Sequence, residues 1–209
     1  MKFYLGGGWN PDKGEEALDA FYRCIEKIFK GEGIKQILHI PFARTGIMKK
    51  NRTNFLPHKF GPYIRKLGIQ YLNAQYIEDI KKFSGDTIYI NGGNDNEFLL
   101  KMCKEDILFS ALQKAKIIIG ESAGAMILGA YLRNNDENDW IQGLGYIENT
   151  LIEPHFTEIN SQEILKKGIK KMQVQFGLGI DENTFVLYKN GIYGKIIGTG
   201  KIFHKENLL

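Results

Sequence analysis

Several features that would assign this 209-residue chain to a specialised class are missing from its sequence. The only two cysteines, Cys24 and Cys103, lie in helical patterns without CxxC or metal-ligand spacing, so we expect both to be reduced and structural. No apolar run approaches the roughly 18 residues of a membrane-spanning helix. The first ten residues lack the apolar segment of a signal peptide, so we expect a cytoplasmic protein.

Charge of one sign is also lacking. The 28 basic and 24 acidic side chains leave a formal net charge of +4, which is too weak over this length to indicate nucleic-acid binding. The phosphate-binding patterns GxGxxG and GxxxxGK[ST] are absent as well. No linker, low-complexity tract or repeat interrupts residues 1–209, which are therefore predicted to form one domain. The sequence does not indicate the oligomeric state.

Short apolar strands alternate with amphipathic helical segments along most of the chain. Helices are predicted over 13–30, about 55–67 and 95–114, and strands over Lys2–Leu5, Gln36–Pro41, Gly68–Asn73, Asp86–Asn91 and Lys116–Gly120. The last of these is continuously apolar, as expected of a central parallel strand covered on both faces. The alternation predicts an α/β fold with a doubly wound, mostly parallel sheet and helices on both faces. Turn signals at Asn190-Gly191 and Gly198–Gly200 predict β-hairpin structure closing one edge.

The strongest local motif is Gly120-Glu121-Ser122-Ala123-Gly124, a GxSxG sequence directly after the most apolar strand. Residues 125–130 are able to start a helix, which completes the strand–turn–helix setting of a nucleophile elbow. Small neighbours are required because the serine occupies a strained turn in which chain segments pass closely. Ser122 is therefore a candidate nucleophile. The alternative is a glycine-rich turn in which the serine caps a helix.

Two backbone amides are candidates for stabilising an oxyanion. The amide of Ala123 follows the serine at the expected helix N-terminus. A second glycine turn, Asn91-Gly92-Gly93-Asn94, also lies between a strand and a helix, at the sheet edge where such loops meet. Gly93 is the second candidate donor.

A serine nucleophile needs a neighbouring base, and the chain has four histidines. His155 is favoured because it lies at a bend after a strand-like segment; the others lie in an apolar strand, a segment without local support and the polar C-terminal tail, at His39, His58 and His204. An acid that orients the imidazole is expected after His155. The candidates are Glu158, Glu163, Asp181 and Glu182, and the local pattern does not choose between the last two.

Five segments of the chain resemble peptidase E (aspartyl dipeptidase) and the cyanophycinases, serine peptidases with a class I glutamine amidotransferase-like fold. They are PFA at 41–43, NGGN at 91–94, GESAGAM at 120–126, EPHFT at 153–157 and GIDENT at 179–184. The resemblance implies Ser122 as nucleophile, His155 as base and Glu182 as acid, with oxyanion amides at Gly93 and Ala123. Asp136 and Asp139, in a polar stretch, are weaker candidates for the acid.

The resemblance implies a small peptide as substrate and no metal or organic cofactor. Aspartyl dipeptidases have an arginine after the PHFT segment, whereas residues 158–163 here contain none, so a strict preference for aspartate is not expected. The polymer cleaved by cyanophycinases is also not expected, because the chain is shorter than those enzymes. Alternatives are an esterase or amidase with the same triad and a non-catalytic binding protein on the same fold. Ser122 stands where a glutamine amidotransferase requires cysteine.

Overall fold

The computed structural model describes residues 1–44, 55–134 and 140–206, with side chains throughout these ranges except at 55–59. The helices are α1 Gly14–Glu32, α2 Phe55–Lys66, α3 Ile77–Lys82, α4 Asn96–Cys103, α5 Asp106–Lys114, α6 Ala123–Met126 and α7 Gln162–Met172. The strands are β1 Lys2–Gly6, β2 Gln36–Ile40, β3 Gln70–Asn73, β4 Thr87–Ile90, β5 Ile117–Glu121, β6 Gly129–Arg133, β7 Trp140–Gln142, β8 Ile147–Pro154, β9 Phe176–Ile180, β10 Thr184–Lys189, β11 Ile192–Gly198 and β12 Ile202–Glu206.

A sheet in the order β11-β10-β1-β5-β4-β2-β3 forms the centre of the fold. The five neighbouring strands β1, β5, β4, β2 and β3 pair in parallel. At the other edge of the sheet, β10 pairs antiparallel with β1, and β11 pairs antiparallel with β10. The apolar strand β5 lies between β1 and β4, as the sequence predicts. Ile117 and Ile119 pack on the face covered by α1 and α2, and Ile118 packs on the opposite face. The predicted α/β fold with a mostly parallel, helix-covered sheet is confirmed.

Helix α1 shows why the apolar periodicity was informative. Its six predicted core residues are all buried: Leu18, Phe21, Tyr22, Ile25, Ile28 and Phe29. The helix ends at Gly33, whose left-handed φ of 63° reverses the chain toward β2. The predicted helical region 95–114, for which the sequence allows one long helix or two short ones, forms two helices, α4 and α5.

A second sheet, in the order β12-β9-β8-β6-β7, was not predicted. The expectation that residues 125–130 start a helix is wrong beyond Met126, because α6 has four residues and Gly129 already begins β6. Backbone bonds draw the chain away from the helix: Leu144 N–H donates to Ile127 O at 2.7 Å, and Gly145 N–H to Gly129 O at 3.0 Å.

The C-terminal turns behave differently from each other. Asn190 and Gly191, both with positive φ, join β10 and β11 in the predicted hairpin at the sheet edge. The turn at Gly198–Gly200 does not form a second hairpin with β11. It leads instead to β12, which pairs with β9 in the second sheet. The C-terminal strands therefore connect the two sheets.

The core is arranged around these layers. One face of the central sheet packs on α1 and α2, and its other face packs on α4, α5 and the second sheet. The far face of the second sheet packs on α7 through Leu151, Leu165 and Ile169. No helix within the described residues has the length and apolar character needed to cross a membrane.

Two strand isoleucines provide a matched test of this core. Ile118 in β5 is fully buried, whereas Ile192 at the edge strand β11 is 69% exposed. We expect Ile118→Ala to lower the free energy of unfolding by about 2–5 kcal/mol, because it leaves a cavity between the layers. Ile192→Ala is expected to change it by less than about 0.5 kcal/mol. Urea denaturation measures both, and equal effects would contradict the layer assignment.

Candidate active site

Ser122 occupies a strained turn at the carboxyl end of β5. Its φ of 49° and ψ of −116° lie outside the regions that non-glycine residues normally adopt. A Cβ at Gly120 would lie 2.4 Å from Gly124 O, and one at Gly124 would lie 2.3 Å from Ile90 O. The small residues that flank the serine are therefore required by close backbone packing. Its side chain makes no capping hydrogen bond to α6, which disfavours the alternative of a helix-capping serine.

His155 lies beside Ser122, at the bend that follows β8. It also has a positive φ of 49°, and its N–H donates to Gly7 O at 3.1 Å. This bond ties the bend to the loop after β1. The imidazole Nε2 lies 3.1 Å from Ser122 Oγ, within hydrogen-bond distance.

Glu182, in the turn after β9, completes a chain of three side chains. Its Oε1 lies 2.9 Å from His155 Nδ1, and the carboxylate is 5% exposed. A carboxylate only accepts hydrogen bonds, so Nδ1 carries the proton in the neutral ring and Nε2 is left to accept one from Ser122. The arrangement is that of a nucleophile, a base and an orienting acid.

The neighbouring acids face elsewhere. Asp181 accepts hydrogen bonds from Thr157 N and Oγ1 and from Lys201 N. These bonds hold the turn after β9 and leave the Asp181 carboxylate directed away from the His155 imidazole. Glu158 accepts a bond from Glu182 N at 3.2 Å. Glu163 pairs with Lys166 on the surface of α7. Asp136 and Asp139 lie outside the described residues.

The remaining histidines do not approach Ser122 in the part of the chain whose side chains are described. His39 is fully buried, its Nδ1 lies 2.6 Å from Tyr71 Oη, and burial lowers its pKa to about 3, so the interpretation as a core histidine holds. His204 lies in β12 and stacks on Phe176, rather than in a polar tail. The side chain of His58 lies outside the described residues.

The two candidate oxyanion amides border the same space as the serine. Gly93 and Ala123 line a cavity of about 200 Å³ together with Ser122 and His155. In the described part of the chain, neither amide donates to a protein acceptor. A second cavity of about 750 Å³ lies on the other side of Ser122 and includes Gly93, His155 and Glu182 among its lining residues.

Three cations near the site were not identified from the sequence. Lys13 Nζ lies 2.7 Å from Glu182 Oε2, and this bond raises the pKa of Lys13. Arg44 lines the larger cavity and Arg133 the smaller one. Lys13 and Arg44 follow parallel strands β1 and β2, whose carboxyl ends lie at the same sheet edge as Ser122. Ligand-binding groups of such folds lie at the carboxyl ends of the parallel strands, and this rule could have identified both residues as candidates.

Both arginines have buried carboxylate neighbours. Arg133 donates to both carboxylate oxygens of Glu153 at 3.3 Å. Burial raises the pKa of Glu153, and Arg133 opposes that rise. Burial likewise raises the pKa of Glu121, while the Arg44 guanidinium opposes the rise. Glu121 is 1% exposed and borders the larger cavity beside Ser122.

Similarity to known proteins identifies the family of the chain. The model of peptidase family S51 matches residues 4–195. The chain belongs to this family. It is 24% identical to a cyanophycinase of Geminocystis herdmanii, over 95% of this chain and 77% of that protein. It is also 24% identical to a cyanophycinase of Synechococcus elongatus, over 62% of this chain and 45% of that protein.

Solved structures of this type share the fold. A peptidase from an acI-B1 actinobacterium superimposes with a TM-score of 0.68 at 23% identity, over 96% of this chain and 88% of that one. A candidate peptidase E protein from Listeria monocytogenes EGD-e gives a TM-score of 0.59 at 20% identity, over 99% and 98% of the two chains. The family S51 member described here is a serine-type peptidase, and the predicted resemblance to peptidase E and cyanophycinases is confirmed.

Gly8 provides a test of the contact between Ser122 and His155. A Cβ at Gly8, where φ is 82°, would lie 2.9 Å from Ser122 Cβ and 2.8 Å from His155 Nε2. We expect Gly8→Ala to separate the two side chains and to slow modification of the serine by a fluorophosphonate at least about tenfold, a barrier change of about 1.4 kcal/mol.

Gly14→Ala is the matched control for this variant. Gly14 has a similar φ of 76°, but a Cβ there would meet nothing within 4 Å. Both variants place an alanine at a positive φ, so both carry backbone strain, and only Gly8→Ala adds the clash with Ser122 and His155. Equal labelling rates for the two variants would contradict the proposed contact.

Proposed function

We propose that this S51 peptidase hydrolyses short peptides with Ser122 as nucleophile, His155 as general base and Glu182 as the acid that orients the imidazole. The observation that carries the proposal is the continuous line of contacts from Ser122 Oγ to His155 Nε2 and from His155 Nδ1 to Glu182 Oε1, at 3.1 and 2.9 Å. The first distance is within the range for a base that takes a proton directly from its nucleophile, and the second is within the range of a hydrogen bond that orients the ring.

The reaction would proceed through an acyl-enzyme. Ser122 Oγ attacks the peptide carbonyl carbon while His155 Nε2 takes the hydroxyl proton. The amides of Gly93 and Ala123 donate hydrogen bonds to the oxyanion of the tetrahedral intermediate. His155 then protonates the leaving amine, and water, deprotonated by the same imidazole, releases the acyl group. The proposal includes no metal or organic cofactor.

A short substrate is supported by the size of the two cavities that meet at Ser122. They measure about 750 and 200 Å³, comparable to sites for small ligands. A short peptide fits within such a volume. The similarity to cyanophycinases makes their substrate the second candidate, and it belongs in the same substrate panel.

The same side chains would also serve an esterase or amidase that acts on a non-peptide acyl group, because the attack and the oxyanion are identical. A non-catalytic binding protein is disfavoured by the alignment of three side chains at hydrogen-bond distances. A panel of dipeptides, aminoacyl anilides and acyl esters separates these possibilities.

The triad is tested by single substitutions. We expect Ser122→Ala to abolish fluorophosphonate labelling and to lower kcat by about 10⁶-fold, by analogy with other serine peptidases. Glu182→Gln is expected to lower kcat by about 10⁴-fold, because an amide stabilises the wrong imidazole tautomer. Glu163→Gln is the control, since that acid pairs with Lys166 and is 69% exposed. Labelling of Ser122→Ala at the wild-type rate would eliminate Ser122 as nucleophile.

Ile159 is proposed to influence which side chain is accepted. It is 52% exposed, lines both cavities and lies in the segment where aspartyl dipeptidases have arginine. We therefore expect leucyl substrates to be cleaved faster than aspartyl ones. Ile159→Arg should raise the relative kcat/KM for aspartyl substrates about fivefold, equivalent to about 1 kcal/mol for an exposed ion pair. Unchanged relative rates would remove Ile159 from this role.

A further inference from the structure

The loop that carries Gly93 is held by buried charged groups that the reaction steps above do not use. Glu121, the residue before Ser122, has two contacts. Its Oε1 accepts a hydrogen bond from Gly92 N at 3.1 Å, and its Oε2 accepts one from Tyr89 Oη. Tyr89 is fully buried and packs on Phe60. Tyr89 in the core therefore fixes the Glu121 carboxylate, and the carboxylate in turn binds the glycine loop at Gly92.

The other side of the same glycine is held by donors. Arg44 Nε donates to Gly92 O at 2.9 Å, and Asn91 Nδ2 donates to the same oxygen at 3.0 Å. Gly92 therefore has its N–H bound by a buried acid and its carbonyl bound by a partly buried cation. A side chain has no room there, because a Cβ at Gly92 would lie 2.8 Å from Ser122 Cβ.

The geometry of the peptide unit links these contacts to Gly93. The carbonyl of Gly92 and the N–H of Gly93 belong to one planar, trans peptide group and point in opposite directions. Binding the carbonyl to Arg44 and Asn91 therefore fixes where the Gly93 N–H points. That N–H borders the cavity that contains Ser122.

We propose that Glu121 and Arg44 are positioning residues that hold the two peptide groups flanking Gly92, one through the N–H and one through the carbonyl, and thereby aim the Gly93 amide at the oxyanion. We call this arrangement the grip. This inference rests on the proposed function for the catalytic meaning of the amide, but the grip itself is independent of it. Glu121 borders the larger cavity, but both of its carboxylate oxygens are bound by Gly92 N–H and Tyr89 Oη, so its effect on catalysis is exerted through the loop.

Burial makes the paired charges necessary to each other. A buried carboxylate or guanidinium left without its partner is strongly unfavourable. Arg44 and Glu121 are close enough for each to affect the pKa of the other, and both approach the same glycine. The loop is therefore held by two groups of opposite charge that both bind Gly92. A preorganised amide of this kind is effective because it needs no rearrangement during the reaction.

Two substitutions of Glu121 separate the hydrogen bond from the charge. Glu121→Gln keeps an oxygen that accepts from Gly92 N–H, whereas Glu121→Met has a similar shape and no good acceptor. We expect Glu121→Met to lower kcat by about 10²-fold, the usual effect of losing one oxyanion donor, with KM changed less than about twofold. Glu121→Gln is expected to retain kcat within about fivefold. Binding of a peptide aldehyde, which forms an oxyanion adduct, should weaken in parallel with kcat.

Amide hydrogen exchange provides a readout that does not depend on peptidase activity. Exchange at Gly92 and Gly93, followed by NMR, is expected to accelerate at least tenfold in Glu121→Met and in Arg44→Met, but not in Glu121→Gln. Arg44→Met also serves as the second route if Glu121→Met does not fold. Glu32→Met is the matched control, because Glu32 likewise accepts from a tyrosine, Tyr4, at 2.6 Å but lies away from the site.

The outcomes distinguish the two proposals. Unchanged exchange at Gly92 and Gly93 in the methionine variants would overturn the grip, whether or not the wild type cleaves peptides. Accelerated exchange with unchanged kcat would overturn its role in catalysis. Equal loss of kcat in Glu121→Gln and Glu121→Met would also overturn it, because the charge and not the hydrogen bond would then matter. No hydrolysis of any substrate by the wild type would refute the proposed function, while the exchange result would still decide the grip.

Discussion

Close approach of backbone segments at one edge of the central sheet is the constraint on which the rest of the structure depends. A Cβ at Gly7 would lie 2.1 Å from Asp181 O, and one at Gly124 would lie 2.3 Å from Ile90 O. Ordinary side chains would push these segments apart. With glycine at these positions, the ends of β1, β4, β5 and β9 converge, and the groups they carry come within hydrogen-bond distance of one another.

This convergence joins the two sheets through backbone bonds. His155 N–H, after β8 of the second sheet, donates to Gly7 O at 3.1 Å, and Asn183 N–H, in the turn between β9 and β10, donates to Gly8 O at 2.8 Å. The loop after β1 therefore lies between the serine turn of the first sheet and the two turns of the second sheet. Together these contacts bring a serine, a histidine and a glutamate from three different strand ends into one line. The positive φ at Ser122 and His155 is tolerated because the surrounding backbone is fixed on both sides.

Much of this was predictable from local sequence. The run Lys116–Gly120 is apolar because it is covered on both faces, and the small residues around Ser122 reflect a steric requirement that exists in any such turn. The choice between Asp181 and Glu182 was not available locally. Adjacent residues in a turn point in different directions, and Asp181 is turned away by its bonds to Thr157, which is distant in sequence.

The second sheet was missed for a related reason. Its strands β6 and β7 are short and only partly buried, and the pairs β6–β8 and β8–β9 that form the centre of the sheet are parallel. Parallel pairing of this kind leaves no turn signature in the sequence. Arg44 was overlooked because its place after β2 marks the whole segment there and not one residue of it, and its partner Gly92 lies 48 residues away.

The two sheets carry different members of the proposed triad, and this has a consequence for how activity is lost. Ser122 is carried by the central sheet, whereas His155 and Glu182 are carried by the second. The 3.1 Å contact between Ser122 and His155 therefore depends on the position of one sheet relative to the other. A shift of about 1 Å between layers is enough to break a hydrogen bond while each layer keeps its own strands and helices. Activity in this architecture is therefore lost more easily than the fold. Heat, denaturant or a core substitution would break the contact between Ser122 and His155 while most secondary structure persists.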